Sequence, residues 1–409
     1  MKIQRYLGVL IASMMTLCAC HSDMHPWTMH IIDNTSSGAD GTKLIDANSD
    51  GNLDIATGWE QGHVARLYLH PGPGHVDDSW KYVEVPAPHV EDALPVDLDQ
   101  DGSVDLLTCS EGDHMRLTIH WGPKDTQSLL DTSHWESVDI PVSIGKTRWM
   151  FAEEMEVDGK HGPDLIVGSK DPDATLGWLE IPEDPRQVEE WQYHEISPAN
   201  WVMTIKILDI NQDGLSDILI SDRNGPHRGV KWFQNPGPQS SNLRSHWASV
   251  AIGMTEADPL FLDVVSSSDN GMLEMWVPNL RGYFMHFWQA NLSGTEWGSE
   301  RWEIPEMAGL IGKSAAIGDI DLDGKYDLIT TYDGAEEKSG VLWSTYDENK
   351  ESWVHHDVSG LMGIKYDFAS LIDMDGDGDL DILTSEEANN SQQGPGLGVI
   401  WYENPFSHN

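Results

Sequence analysis

Seven times along this chain a tryptophan leads a short alternating strand, at an almost constant interval. The copies start at Trp27, Trp80, Trp135, Trp191, Trp247, Trp302 and Trp353, with steps of 53, 55, 56, 56, 55 and 51 residues. A fixed period of this length marks an architecture of stacked repeats, because each unit needs its neighbours to bury its apolar face. Two further elements keep the same step. One is an aspartate-rich loop followed by an apolar run. The other is a short strand ending in a turn, as at Trp178, Trp232 to Pro236, Trp343 and Trp401 to Pro405. Each repeat therefore holds about four strands, with Gly, Pro and Asn between them and no long 3.6-residue periodicity. That pattern predicts an all-β chain, a seven-bladed β-propeller of four-stranded antiparallel blades spanning residues 27–409. A β-solenoid needs shorter repeats, and a sandwich does not repeat so regularly. The first repeat opens on a tryptophan strand, so residues 27–32 are expected to close the ring as the outer strand of the last blade. They would lie beside Ile400, Trp401 and Tyr402 and remove the free edges of an open ring.

The aspartate loops place oxygen side chains at positions 1, 3, 5 and 9, with glycine at 6. The five full copies are Asp46, Asn48, Asp50 and Asp54; Asp97, Asp99, Asp101 and Asp105; Asp209, Asn211, Asp213 and Asp217; Asp319, Asp321, Asp323 and Asp327; and Asp373, Asp375, Asp377 and Asp381. The third repeat keeps Glu156, Asp158 and Asp164 but has Lys160 where a carboxylate is expected, and the fifth, near Asp263, has lost the pattern. Such oxygen sets suit Ca2+, a hard cation that takes six or more oxygens. An EF-hand shares the opening motif, yet it needs a glutamate at position 12 and flanking helices. Here position 12 is Thr57, Thr108, Ile220, Thr330 or Thr384, and a strand follows.

With these loops, the tryptophan strands and the Trp-Tyr-Glu-Asn-Pro ending, the chain resembles the FG-GAP/VCBS repeat family, the propeller class that includes the integrin α-chain head. The resemblance covers essentially all of residues 27–409. It implies that the loops bind calcium structurally, at up to five sites. It says little about function, because this fold hosts many. The composition of 24 basic and 68 acidic residues, a net charge of −44, excludes general affinity for a nucleic-acid backbone. Disorder is excluded too, since 39% of residues are hydrophobic and 18 are tryptophan.

The first residues form a separate signal. Lys2 and Arg5 precede an apolar run from Leu7 to Thr16, and then comes Leu17-Cys18-Ala19-Cys20. The run is too short to span a membrane and reads as a secretion signal. Its end resembles a bacterial lipobox, with Cys18 in the second position as a departure. Residues 1–19 are therefore expected to be a lipoprotein signal peptide, Cys20 the lipidated residue, and residues 20–26 a short anchor segment. The expected place is the outer membrane or cell surface, held through the lipid. Cys109 then remains without a disulfide partner, and its strand-like surroundings predict a buried thiol.

The aspartate loops join the first and second strands of each blade and so share one face of the disc. The second-to-third-strand loops and the blade-to-blade loops share the other face, around the central funnel. Arg148, Trp201, Arg223, Lys365 and Tyr366 are the candidate ligand residues there. Aromatic faces stack on sugar rings and guanidinium pairs with carboxylate or sulfate, which suits a carbohydrate, including an anionic one. The expected function is a calcium-stabilised binding or interaction module, with a carbohydrate or protein as ligand. The alternative is a polysaccharide lyase or other glycan-active enzyme on an anionic polysaccharide, for which no spacing singles out catalytic residues.

Overall fold

The computed structural model describes residues 26–267, 271–387 and 396–406. The signal peptide, Cys20 and nearly all of the anchor segment lie outside these residues. The chain forms seven separate sheets, each of four antiparallel strands. The innermost strands are Ala39–Ile45, Val90–Val96, Arg148–Met155, Val202–Leu208, Asp263–Ser266, Ile311–Gly318 and Tyr366–Ile372. In the first six blades the strands follow in chain order from the axis outwards. The seventh blade takes its outer strand from the start of the chain: Thr28–Asp33 lies antiparallel to Gly398–Glu403, with His30 opposite Trp401. The expected closure is thus present, at the expected residues.

The strand-leading tryptophans explain why the period is kept. Trp80, Trp135, Trp191 and Trp247 are buried, and each indole N–H donates to a carbonyl four to six residues earlier, at Val76, Leu129, Pro185 and Leu243. Each therefore fills the space between two sheets and pins the loop that delivers its own strand. Trp302 and Trp353 do it differently. They are half-buried and pack edge-to-face at 4.7 Å, with Trp276 against both. The core is a series of layers between consecutive blades. Ile166, Leu176 and Trp178 of the third blade, for example, meet Met203, Ile205 and Ile218 of the fourth. Cys109 is fully buried, and desolvation pushes its thiol well above the usual range.

On the axis, Phe151, Phe261 and Phe368 from the third, fifth and seventh blades converge, with ring centroids 5.6 Å and 5.4 Å apart. They close the channel part-way along. Lys313 on one side and the aspartate-loop ends of the inner strands on the other are thereby separated.

Candidate functional site

Each full aspartate loop is held by a nested set of side-chain to backbone hydrogen bonds. The first Asp accepts from the glycine N–H at position 6, as Asp46 does from Gly51 and Asp97 from Gly102. The residue at position 3 accepts from the N–H at 5, and the one at 5 from the N–H at 7, in all five loops. Glycine at position 6 is required by the turn, with φ between 86° and 100°. Position 4 also sits in the left-handed region, at Ser49, Gln100, Gln212 and Leu322. Leu322 carries backbone strain there.

Position 9 serves a different partner. Asp54, Asp105, Asp217 and Asp381 are buried, and each accepts one backbone N–H from position 2 and one from the end of the third strand. These aspartates clamp the loop to the sheet. Burial raises their carboxyls, Asp54 and Asp217 to about 6, Asp381 to about 7 and Asp105 to about 8, against the opposing backbone donors.

The remaining oxygens face one another. Asp97, Asp99 and Asp101 bring carboxylate oxygens within 4.8 Å, as do Asp319, Asp321 and Asp323, and Asp373, Asp375 and Asp381. Asp319 Oδ1 is buried without a hydrogen-bond partner, as is Asp101 Oδ2, although Arg186 bonds the neighbouring Asp99 at 2.6 Å and Lys124 lies 3.6 Å from Asp101. Orphaned acceptors among converging carboxylates fit a bound cation. In the first and fourth blades an asparagine at position 3 turns its amide onto the neighbouring carboxylate, Asn48 on Asp50 at 2.9 Å and Asn211 on Asp213 at 2.8 Å. In the third blade Glu156, Asp158 and Asp164 also converge within 4.8 Å, and Lys160 places its ammonium 2.6 Å from Asp158. The side chain that breaks the motif thus supplies positive charge itself, beside Arg244, whose guanidinium lies 3.1 Å from Asp158. The fifth blade's Asp263 faces the axis, bonded to Lys206 at 2.9 Å and to the Ile317 N–H.

The opposite face carries a charged dish. Glu60, Glu91 and Glu111, from the first two blades, bring their carboxyls within 4.8 Å of one another. Lys170 from the third blade bonds Glu91 at 2.8 Å and also Glu111. Burial, opposed by Lys170 and reinforced by Glu111, raises Glu91 to about 8, while Glu111 is lowered chiefly by Lys170 against its own burial. One proton is therefore held on Glu91, facing a charged Glu111. An acid whose folded pKa is raised stabilises the fold below its unfolded value and loses that contribution as pH climbs through the folded one. Stability should therefore fall between pH 4.5 and about 8 on account of Glu91. Glu91→Gln should flatten that slope and raise stability at pH 8 by about 2 kcal/mol, read from thermal melts across the range.

Trp201 stands at the rim of this dish. Asp222, fully buried, accepts the Asn200 and Trp201 N–H groups and so fixes the turn. Lys170 Nζ lies 4.5 Å from the indole centroid and Arg223 Cζ 4.3 Å. Across the dish, Lys313 faces Asp367 and Glu387, and Lys365 bonds Glu387 at 2.5 Å. Burial, with the Glu91, Asp367 and Glu387 carboxyls around it, raises the Asp40 carboxyl well above the usual range.

Of the five candidate ligand residues, the structure brings Arg148, Trp201, Arg223 and Lys365 to this face. Tyr366 is not available. It is fully buried, its hydroxyl donates to the Met362 carbonyl and meets Tyr402, and its ring occupies space left by Gly340 and Gly363. Strand alternation turns it between sheets, while Asp367 takes the axial direction. Much of the positive charge on this face is neutralised, since Lys170, Lys313, Lys365 and Arg228 are all paired with carboxylates. Arg148 and Arg223 make no ion pair among the described residues, and Arg148 Nε is buried without a partner. The acids Asp40 and Asp367 were less legible in the sequence than Glu91. Their shared position, second in an innermost strand, is the signal that finds them.

A separate well lies between the phenylalanine plug and the aspartate loops, with a volume of about 510 Å³. Its charged side chains are satisfied by one another, Lys43 with Asp92 and Glu153, and Lys206 with Asp263.

No protein-family profile and no curated protein sequence matches this chain. Among solved structures, BBS1N in complex with ARL6DN, soaked with mercury, is similar at a TM-score of 0.52 and 12% identity, over 94% of this chain and 98% of that one. The same complex soaked with lead gives 0.49 at 12% identity, with coverages of 94% and 98%. The NanB sialidase from Streptococcus pneumoniae, with a bound chlorobenzylammonio-ethanesulfonate, gives 0.48 at 10% identity, over 92% of this chain and 70% of that one. At such identities a likeness is one of fold alone. By its own strand order, the chain is a seven-bladed β-propeller.

Proposed function

We propose that this propeller is an exported, lipid-anchored binding module of the FG-GAP/VCBS type, with calcium in its aspartate loops and a carbohydrate as ligand. One observation carries the ligand class. An indole rim at Trp201 stands beside the Glu60, Glu91 and Glu111 carboxyls and next to Arg223, which has no acidic partner among the described residues. A sugar uses both kinds of group, its ring faces against the aromatic plane and its hydroxyls against carboxylates and guanidinium. Titration calorimetry against a panel of neutral and uronate oligosaccharides tests this. Arg223→Ala and Glu111→Gln should each weaken binding about tenfold, the loss of one charge-assisted hydrogen bond. Binding by no member of the panel would remove the carbohydrate. The alternative is cleavage of an anionic polysaccharide, for which Arg148 and Arg223 are the groups free to receive a uronate. New ultraviolet absorbance from unsaturated sugar ends would make the protein a lyase.

The calcium reading has its own test in the third blade, where Lys160 replaces a carboxylate. Lys160→Asp should leave that loop dependent on added cation. Its stability in chelator is expected to fall about 1 kcal/mol below wild type and to recover with calcium, because like charges at close range need a counter-charge. A variant equally stable with and without calcium would count against it.

A further inference from the structure

The three most exposed large apolar side chains among the described residues are Leu361 at 69%, Leu310 at 65% and Met362 at 50%. All three belong to blade-to-blade loops on the dish side of the sixth and seventh blades. They are not scattered. The Leu310 N–H donates to Asp333, Gly309 donates to Ser339, and Ser339 donates to Met307, itself exposed. The same 334–340 loop continues to the seventh blade through Ala335 N–H to Ile364 O and Gly340 N–H to Ser359 Oγ. The Tyr366 hydroxyl holds the Met362 carbonyl at 2.7 Å. Interlaced loops thus present one fixed apolar ledge, where single exposed side chains would need no explanation.

The start of the described chain meets this ledge. Trp27 N–H donates to Val358 O at 3.0 Å, and a methyl group on Gly360 would lie 3.2 Å from the Pro26 ring. Leu361 and Met362 follow directly. Cys20 is six residues before Pro26, a reach of about 20 Å at full extension.

We infer that the ledge of Leu310, Leu361 and Met362 rests on the lipid bilayer to which Cys20 fixes the chain. This rests on the lipid-anchor reading above. A tether so short brings the junction of the sixth and seventh blades to the bilayer surface, and the side chains there are apolar. Net charge gives no alternative attraction, since an acidic chain is repelled by anionic headgroups. In a ring of seven, the third blade stands opposite that junction. The half-exposed Arg148 and the Trp201 rim are then held clear of the lipid and open to ligand.

The test uses the full chain, expressed in bacteria with its own leader and reconstituted in phosphatidylcholine vesicles that contain doxyl-labelled lipid. An environment-sensitive fluorophore is placed at Leu361→Cys and, in a second sample, at exposed Ser241→Cys on the fourth blade. Intact mass reports separately whether Cys20 carries lipid. The expected result is a lipidated protein with quenching about threefold stronger at 361 than at 241, as for side chains 5–10 Å into the interface. Adding Leu310→Ser and Met362→Ser should reduce the difference. Equal quenching at the two positions of a lipidated protein would overturn the ledge and leave the anchor standing. A mass without lipid would overturn both.

Discussion

Excess chelator is expected to lower the melting temperature by about 10 °C, and calcium to restore it. Two loops gather three carboxylates within 4.8 Å with no cationic side chain bonded to them among the described residues, those at Asp319 and Asp373, whereas at Asp97 the Arg186 guanidinium lies 2.6 Å from Asp99. A site filled at a hundred times its dissociation constant contributes about 2.7 kcal/mol, so two contribute roughly 5 kcal/mol. For a chain of this size each kcal/mol moves the midpoint by about 2 °C. The seventh-blade loop should respond most. Asp379 adds a further buried carboxyl there with neither oxygen hydrogen-bonded, and burial with its acidic neighbours raises it to about 7. Magnesium should restore less, because it demands octahedral geometry and keeps its water. Calorimetry with and without chelator decides the matter, and a melt unchanged by chelator would refute the calcium reading.

The ring seam is expected to be the second point of failure. Asp33 ends the closing strand and reaches into the first blade, where Arg66 Nη1 lies 2.5 Å away and the Tyr68 hydroxyl 2.7 Å. Both partners of the ion pair are nearly buried, at 5% and 8% exposure. Asp33→Ala leaves the buried guanidinium with Glu84 as its remaining acidic partner and the Tyr68 hydroxyl without its acceptor, at a cost of about 3 kcal/mol. The midpoint should drop by roughly 6 °C. Burial alone would raise the Asp33 carboxyl, but hydrogen bonds from Tyr68, Thr35 and Arg66 outweigh it and hold it below 3.8. A lowered carboxyl stabilises the fold above its unfolded pKa and loses that contribution as pH falls through the folded value. The wild-type advantage over Asp33→Ala should therefore vanish in strong acid. Deleting residues 27–33 removes buried Trp27 and bares the Gly398–Glu403 edge, so that variant should aggregate. A deletion variant that melts like wild type would mean that the closing strand does not hold the ring.

The blade count, the ring closure and the five full loops could be read from residue spacing, because each depends on contacts within one repeat or between neighbours. A tryptophan that pins its own preceding loop, or an aspartate that caps an N–H two residues on, is local chemistry and leaves a periodic trace. The replacement of a carboxylate by Lys160 was visible as a defect, yet its compensating ion pair was not, since side-chain direction within a turn is settled by packing. Tyr366 shows the same limit. Its place beside Lys365 suggested the funnel, and the alternation of its strand buried it instead.

The sequence by itself determined the repeat, the blade and the oxygen-rich loops, whose information lies within about 55 residues. Only the tertiary structure decided what meets at the axis. Lys170 and Glu91 are 79 positions apart, and Lys43 and Glu153 are 110. Such pairs arise because the ring brings residues of different blades together around its centre. Their charges then shift one another through a shared, poorly solvated space, and no spacing along the chain records that.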